Sequence, residues 1–134
     1  MRISIISAVK YHKGAVSHIF TTDSPETKQV QISTKNREKL KREITSLDNN
    51  ALILFYDVRD LYLQKLANSV NKDTKFSPYA ALRLLAPYII QDVDMLLYLD
   101  SDTIVADSVS ELFIDHLEEN FYSAAVKDSF RAPP

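Results

Sequence analysis

Residues 95–102 read Met95-Leu96-Leu97-Tyr98-Leu99-Asp100-Ser101-Asp102, and this stretch decides the fold. Its first five residues form an apolar run of the length typical of a buried parallel strand, so we expect a strand over 95–99. Asp100 and Asp102 follow at the carboxyl end, the edge of an open α/β sheet where ligands bind. Their carboxylates can converge on one hard cation, such as Mg²⁺ or Mn²⁺, that also holds substrate phosphate oxygens. Two acids after a strand are also commonly a solvated turn, and D-x-D alone leaves both interpretations open.

Segments of alternating type precede this stretch, which indicates an α/β fold with a mostly parallel sheet and flanking helices. The sequence predicts a strand over 16–21, a helix from Ser33 or Thr34 to about Leu47, a strand over 51–56, a helix over 58–67 and a loop over 68–76. Residues 2–12 suit either a strand or a short helix that Gly14 closes.

Proline and capping signals predict the elements nearest the two aspartates and beyond them. Pro78 suits the first turn of a helix, and Pro87 is expected to limit that helix. Ser108 and Glu111 have the spacing of a capping box, so we expect a short helix from about Val109. A last strand is predicted over 121–126.

Composition narrows the ways in which the chain could bind a phosphorylated ligand. Gly14 is the only glycine among 134 residues, whereas an average chain of this length has roughly nine. Glycine-rich phosphate loops are therefore excluded, and a bound diphosphate must be held by side chains or by a metal ion. The net charge of −2 argues against a nucleic-acid surface. No apolar run approaches the ~20 residues of a membrane span. The absence of cysteine suits a reducing compartment, so we expect a cytoplasmic protein.

Three other kinds of function are alternative explanations for the same two aspartates. A phosphatase-type strand also ends in D-x-D, with the first aspartate as nucleophile, but that chemistry needs a downstream lysine and further acids. A non-catalytic module that binds a partner through an exposed sheet edge would need neither carboxylate. A calcium-binding EF-hand loop over 100–111 is excluded, because Ile104 and Val105 occupy the positions that require a ligand and a glycine.

Four motifs within residues 77–128 are shared with a known family. They are Arg83-Leu84-Leu85-Ala86-Pro87, the run Asp92-Val93-Asp94-Met95-Leu96-Leu97-Tyr98-Leu99-Asp100-Ser101-Asp102-Thr103-Ile104-Val105, Ser110-Glu111-Leu112-Phe113, and Ala124-Ala125-Val126-Lys127-Asp128. With the seventeen-residue spacing from Arg83 to Asp100, they resemble glycosyltransferase family 8, the group of glycogenin and of bacterial lipopolysaccharide galactosyl- and glucosyltransferases. Weaker similarity extends back to the N-terminus.

The resemblance implies a nucleotide-diphospho-sugar transferase (GT-A-like) core that is incomplete at both ends, with residues 1–134 as one partial catalytic domain. It implies transfer of a hexose from a UDP-sugar to a sugar, lipid or protein acceptor, with retention of configuration and with Mn²⁺ or Mg²⁺ as cofactor. Asp100 and Asp102 would be the metal ligands, and Ser101 would lie near the nucleotide ribose. Arg83 would bind beside the donor, and Asp128 would face the sugars. Without the resemblance, Arg83 fits an ordinary surface arginine and Asp128 an ordinary acid after a strand.

The chain departs from the family pattern at both ends. Residues 3–12 align better with the helix that follows the family's opening strand, so that strand and its acidic loop are expected to be missing. The downstream His-x-Gly motif, which supplies a third metal ligand in the family, has no match. His12, His18 and His116 fit surface or half-buried positions, and Ala81 stands where the family often has tyrosine. We therefore expect a truncated member with little activity alone, and a sheet edge through which it could form oligomers.

Overall fold

The computed structural model describes residues 1–23, 30–68 and 78–114, where strands and helices alternate up to residue 65 and only helices follow. In chain order the elements are α1 Arg2–Tyr11, β1 Val16–Thr21, α2 Thr34–Leu47, β2 Leu52–Asp57, α3 Arg59–Lys65, a 3₁₀ helix Pro78–Leu85, α4 Ala86–Ile89 and α5 Glu111–Ile114. None of the helices in this part of the chain is both long enough and apolar enough to cross a bilayer.

Strands β1 and β2 form a parallel pair, in a register that runs from Val16 opposite Leu52 to Thr21 opposite Asp57. Parallel strands need a crossover connection, and the segment that contains α2 provides it. The bounds of β1 are the predicted ones, and β2 begins and ends one residue later than expected. The α/β class and the parallel pairing predicted from the alternating pattern are therefore confirmed for these strands.

Helix α2 begins where its sequence predicts, because Ser33 caps it. The Ser33 hydroxyl accepts a hydrogen bond from the Asn36 N–H at 3.3 Å, which satisfies one of the free donors of the first turn. Only Leu40 and Ile44 of this helix are buried, and their spacing of four residues places them on one face. The rest of α2 is rich in charged residues and stays exposed or half-buried, as expected for a helix on the outside of a sheet.

Helices α1 and α2 cover one face of the strand pair. Their buried apolar residues form one cluster with the odd-numbered residues Ile53 and Phe55 of β2 and with Ile19 of β1. Ile44 and Val9 lie at its centre, each only 1% exposed. The two helices are also joined at the surface, where Arg2 donates two hydrogen bonds to the Glu43 carboxylate at 2.6 and 2.9 Å.

The opposite face of the strands packs against α3, the 3₁₀ helix and α4. Even-numbered Phe20 and Tyr56 point to this side, because successive side chains of a strand alternate between faces. They contact a second cluster whose fully buried members are Val58, Leu82 and Leu85. Helices on both faces are the arrangement expected for a parallel sheet.

Two turns are joined at one end of the strand pair by the carboxylate of Asp48. The N–H of Gly14 donates to Asp48 Oδ2 at 2.6 Å, and the N–H of Asn50 donates to Oδ1 at 3.1 Å. Both bonds stabilise the charged form, so they lower the pKa of Asp48, with Gly14 as the larger cause. Gly14 has a φ of +70°, a left-handed conformation in which a side chain is strained. The single glycine of the chain thus stands where the turn into β1 needs it.

The strand predicted over 95–99 is not formed, and this prediction was wrong. Among the described residues, strand pairing joins only β1 and β2. The side chains of the segment are well exposed, at 44% for Leu96, 38% for Leu97, 50% for Tyr98 and 36% for Leu99. An apolar run supplies the side chains of a buried strand but not the neighbouring strand that its N–H and C=O groups require.

Smaller predictions had mixed outcomes. The segment 2–12 forms a helix from Arg2 to Tyr11 rather than a strand, and the helix after 58 is confirmed with shorter bounds. The helix predicted from Pro78 is a 3₁₀ helix that ends at Leu85, before Pro87, and Pro87 itself lies in the first turn of α4, where a missing N–H does no harm. Helix α5 begins at Glu111 instead of near Val109, since the Ser108 hydroxyl accepts from the nearer Ser110 N–H. The strand over 121–126 and nearly all of the loop over 68–76 lie outside the described residues.

Candidate functional site

Asp100, Ser101 and Asp102 lie in a tight turn directly after the 95–99 segment. The N–H of Thr103 donates to the carbonyl oxygen of Asp100 at 3.1 Å, and the Thr103 hydroxyl donates to the same oxygen at 2.7 Å. The three residues of the turn are exposed, whereas Thr103 is half-buried. The backbone of the turn is therefore held in place while both carboxylates face solvent.

Helix α1 anchors this turn through Ser4. The Ser4 side chain is part of the buried surface of α1, at 6% exposure. Its hydroxyl lies 3.5 Å from the Asp100 carbonyl oxygen and 3.3 Å from the Thr103 hydroxyl. The contact links residues almost a hundred positions apart in sequence, so the position of the two aspartates depends on the N-terminal helix.

Two further side chains hold the segment that follows the turn: Ser7 in α1 and His12, which directly follows the helix. The Ser7 hydroxyl accepts a hydrogen bond from the Val105 N–H at 2.9 Å. Nε2 of the half-buried His12 accepts from the Val109 N–H at 3.0 Å. Sequence reasoning missed these anchoring residues. The available signal was that Ser4 and Ser7 lie one helical turn apart, a polar pair on a helix that is otherwise apolar on that side.

Arg83 and Asp100 are brought together through Tyr98. The Tyr98 hydroxyl donates to Asp100 Oδ1 at 2.5 Å. The guanidinium carbon of Arg83 stands 5.0 Å from the centre of the Tyr98 ring, within the range of a cation–π contact. Burial and the bond to Asp100 raise the pKa of Tyr98, which keeps its hydroxyl protonated as a donor. The seventeen-residue spacing therefore corresponds to a spatial cluster of an arginine, a tyrosine and a carboxylate.

The 3₁₀ helix positions Arg83 in this cluster. Its neighbours Leu82 and Leu85 are buried, at 7% and 0% exposure, in the apolar cluster beneath the strands. With three residues per turn, Leu82 and Leu85 share one side of the helix and Arg83 lies about 120° round the axis from them, where it is exposed. Burial of the two leucines thus fixes the direction in which the arginine points.

The two aspartates carry oxygen ligands of the kind that hard divalent cations bind. Carboxylate oxygens are the ligands that Mg²⁺ and Mn²⁺ prefer, and the turn carries two of them, separated by Ser101. The bond from Tyr98 uses one oxygen of Asp100, which leaves the other for a cation. Across 1–23, 30–68 and 78–114, no three residues of the types His, Cys, Asp and Glu come together in a metal-binding group. A cation bound by Asp100 and Asp102 would therefore need further oxygen donors to complete its coordination.

Four further residues are of interest from the sequence: His18, Ser101, His116 and Asp128. His18 is half-buried, stacked on Tyr56 with a ring-centre distance of 5.7 Å, and burial lowers its pKa. It belongs to the face of β1 rather than to the turn at Asp100. Ser101 is exposed between the two aspartates. Asp128 and His116 lie outside the described residues.

A comparison with protein families supplies independent information on this arrangement. Residues 2–133 match the family model described as Glycosyl transferase family 8. The match spans nearly the whole chain and confirms the resemblance first noticed in residues 77–128. Comparisons with curated proteins and with solved structures find no significant match.

Proposed function

The chain belongs to glycosyltransferase family 8, and from this premise we propose that it binds a UDP-sugar and transfers the hexose to a sugar, lipid or protein acceptor. Retention of configuration at the transferred sugar is part of the proposal and rests on the family alone. The observation that supports a donor site is the cluster of Arg83, Tyr98 and Asp100, with Asp102 two residues further along an anchored turn.

Asp100 and Asp102 would hold the divalent metal ion, and Mn²⁺ or Mg²⁺ suits their oxygen donors. When bound, such an ion neutralises negative charge on a departing diphosphate. Arg83 is exposed beside this pair and can donate hydrogen bonds to phosphate oxygens. Ser101 would contact the nucleotide, and Asp128 would contact the sugars. This division of roles explains how a chain with one glycine could bind a diphosphate without a glycine-rich loop.

Calorimetric titration tests the proposal directly. UDP-glucose and UDP-galactose are titrated into the folded chain with Mn²⁺ and with EDTA, for the wild type and for Asp102→Asn. We expect binding that requires Mn²⁺ and that Asp102→Asn weakens by at least about 10-fold, because a metal ligand is lost. Asp92→Asn is the matched control, since it removes an exposed carboxylate from the same stretch of chain without touching the turn.

Equal binding with Mn²⁺ and with EDTA would contradict the metal-dependent donor site. So would equal losses in Asp102→Asn and Asp92→Asn, because the effect would then follow from net charge alone. Transfer is tested separately by following UDP release from the sugar that binds, with candidate acceptors present. Release of phosphate from small phosphomonoesters, lost in Asp100→Asn, would instead favour the phosphatase alternative.

One observation favours a second candidate, a non-catalytic binding role. A groove of about 430 Å³ lies between α2 and β2, and its lining includes four consecutive residues, 53–56. Consecutive strand residues point to opposite faces, so a groove that touches all four runs along the edge of β2. An extended peptide or a second copy could add there as a strand. This role predicts a defined oligomer in light scattering that is indifferent to Mn²⁺.

A further inference from the structure

Two different parts of the Tyr98 side chain, the hydroxyl and the ring, each contact another residue. Its hydroxyl bonds to Asp100, and its ring lies under the guanidinium of Arg83. We propose that Tyr98 is a positioning residue with two separable actions: the hydroxyl orients the Asp100 carboxylate for a metal ion, and the ring holds Arg83 for the donor phosphates. The inference rests on the proposed function, since it takes Asp100 as a metal ligand and Arg83 as a phosphate-binding residue.

The action of the hydroxyl follows from the freedom of an exposed carboxylate. Asp100 lies on the surface of its turn, where its side chain could rotate among several positions. The hydrogen bond of 2.5 Å from Tyr98 to Oδ1 restricts that rotation. Partners that orient a metal ligand in this way typically account for a 10- to 100-fold difference in metal affinity. Because this site is open to solvent, we expect the lower end of that range.

The action of the ring follows from the position of Arg83. The 3₁₀ helix leaves this side chain exposed, so its long stem has many accessible rotamers. The Tyr98 ring at 5.0 Å gives the guanidinium one preferred position, over the same ring whose hydroxyl bonds to Asp100. A cation–π contact at an exposed site favours this position by a factor of about 3. An arginine held beside the metal site loses less conformational freedom when it binds a diphosphate.

Two substitutions separate these actions. Tyr98→Phe removes the hydroxyl and keeps the ring, whereas Tyr98→Leu removes both. Mn²⁺ alone is titrated first, with the free ion followed by electron paramagnetic resonance, and UDP is then titrated at saturating Mn²⁺. We expect Tyr98→Phe to weaken Mn²⁺ binding about 10-fold. Relative to Tyr98→Phe, Tyr98→Leu should leave Mn²⁺ affinity unchanged and weaken UDP binding about 3-fold.

Tyr88 provides matched controls, because it is equally exposed and also carries a cation over its ring. Its exposure is 54%, and the Lys65 ammonium lies 5.0 Å from the ring centre. Tyr88→Phe and Tyr88→Leu should change neither Mn²⁺ nor UDP affinity. Equal effects at both tyrosines would overturn the inference, because they would show a general response to loss of a surface ring.

A double-mutant cycle decides whether Tyr98 acts through Asp100. In an Asp100→Asn background, Tyr98→Phe should produce no further change in Mn²⁺ affinity, since there is no metal ligand left to orient. An unchanged or tighter Mn²⁺ affinity of Tyr98→Phe in the wild-type background, where Asp100→Asn weakens it, would overturn the inference and leave the proposed function intact. Failure of the wild-type chain to bind Mn²⁺ at all would overturn both.

Discussion

Replacing Ser7 by alanine tests whether helix α1 holds the segment that carries the two aspartates. The Ser7 hydroxyl accepts from the Val105 N–H at 2.9 Å, and Val105 is only 6% exposed. Ser7→Ala therefore leaves a buried amide without its acceptor, which costs about 1–3 kcal/mol. Alanine favours the helix over serine by up to about 0.5 kcal/mol. The expected net loss in the free energy of unfolding is about 1–2 kcal/mol.

Ser46→Ala is the matched control for this measurement. Ser46 and Ser7 both donate to the carbonyl three residues earlier in their own helix, at 2.7 and 2.8 Å. They gain similar helix propensity when replaced by alanine, but the interaction described for the Ser46 hydroxyl stays within α2. Urea denaturation of both variants, read by circular dichroism, isolates the bond to Val105 as the difference between them. The Val105 amide should also exchange with deuterium faster in Ser7→Ala.

The reasoning would be refuted if the two serine variants differed by less than about 0.3 kcal/mol, a difference within the usual error of additivity. Unchanged exchange at the Val105 amide would lead to the same conclusion. Either result would mean that α1 does not restrain the segment after the turn, and the position of the aspartates would need another explanation.

Three further measurements examine the core, the glycine turn and the response to acid. Ile44→Ala should lower the free energy of unfolding by about 3 kcal/mol in urea, because it leaves a cavity at a side chain that is 1% exposed; Leu47→Ala, at an exposed position of the same helix, should change it far less. Gly14→Ala should destabilise by about 1–2 kcal/mol at a φ of +70°, and Gly14→Asn by less, since asparagine tolerates this conformation. The folded pKa of Asp48 is lowered chiefly by the Gly14 N–H, so its contribution to stability is present above the unfolded pKa of about 3.9 and is lost as the pH falls through the lower folded value. Melting temperatures measured from pH 7 to pH 2 should accordingly fall mainly below about pH 4, and Asp48→Asn should reduce that fall.

The sequence predicted most of the helices and strands whose ends are set by residues within or next to the element itself. Ser33 identifies the start of α2, since a capping residue acts within one helix. The β-branched and aromatic run of β1 predicts both of its ends. The residues 2–12 remained ambiguous because their apolar pattern fits either period, and only packing against α2 and β2 selects the helix.

The failures arise where a residue needs a partner that is distant in sequence. The 95–99 run has the composition of a buried strand, but strand pairing depends on another segment of backbone, which local composition does not specify. A proline can end one helix or begin the next, and Pro87 follows the end of the 3₁₀ helix and lies in the first turn of α4, between the buried Leu85 and the half-buried Ile89.

For the candidate site, the sequence by itself determined the chemistry: two carboxylates in one turn, an arginine seventeen residues earlier, and no glycine-rich loop to replace them. Their family pattern was also readable, because it is carried by residue types at fixed spacings. Only the tertiary structure decided that Tyr98 joins Arg83 to Asp100 and that Ser4 and Ser7 hold the turn. The physical reason is that hydrogen bonds and ring contacts act over a few ångströms in space, and folding alone brings such distant positions of the chain together.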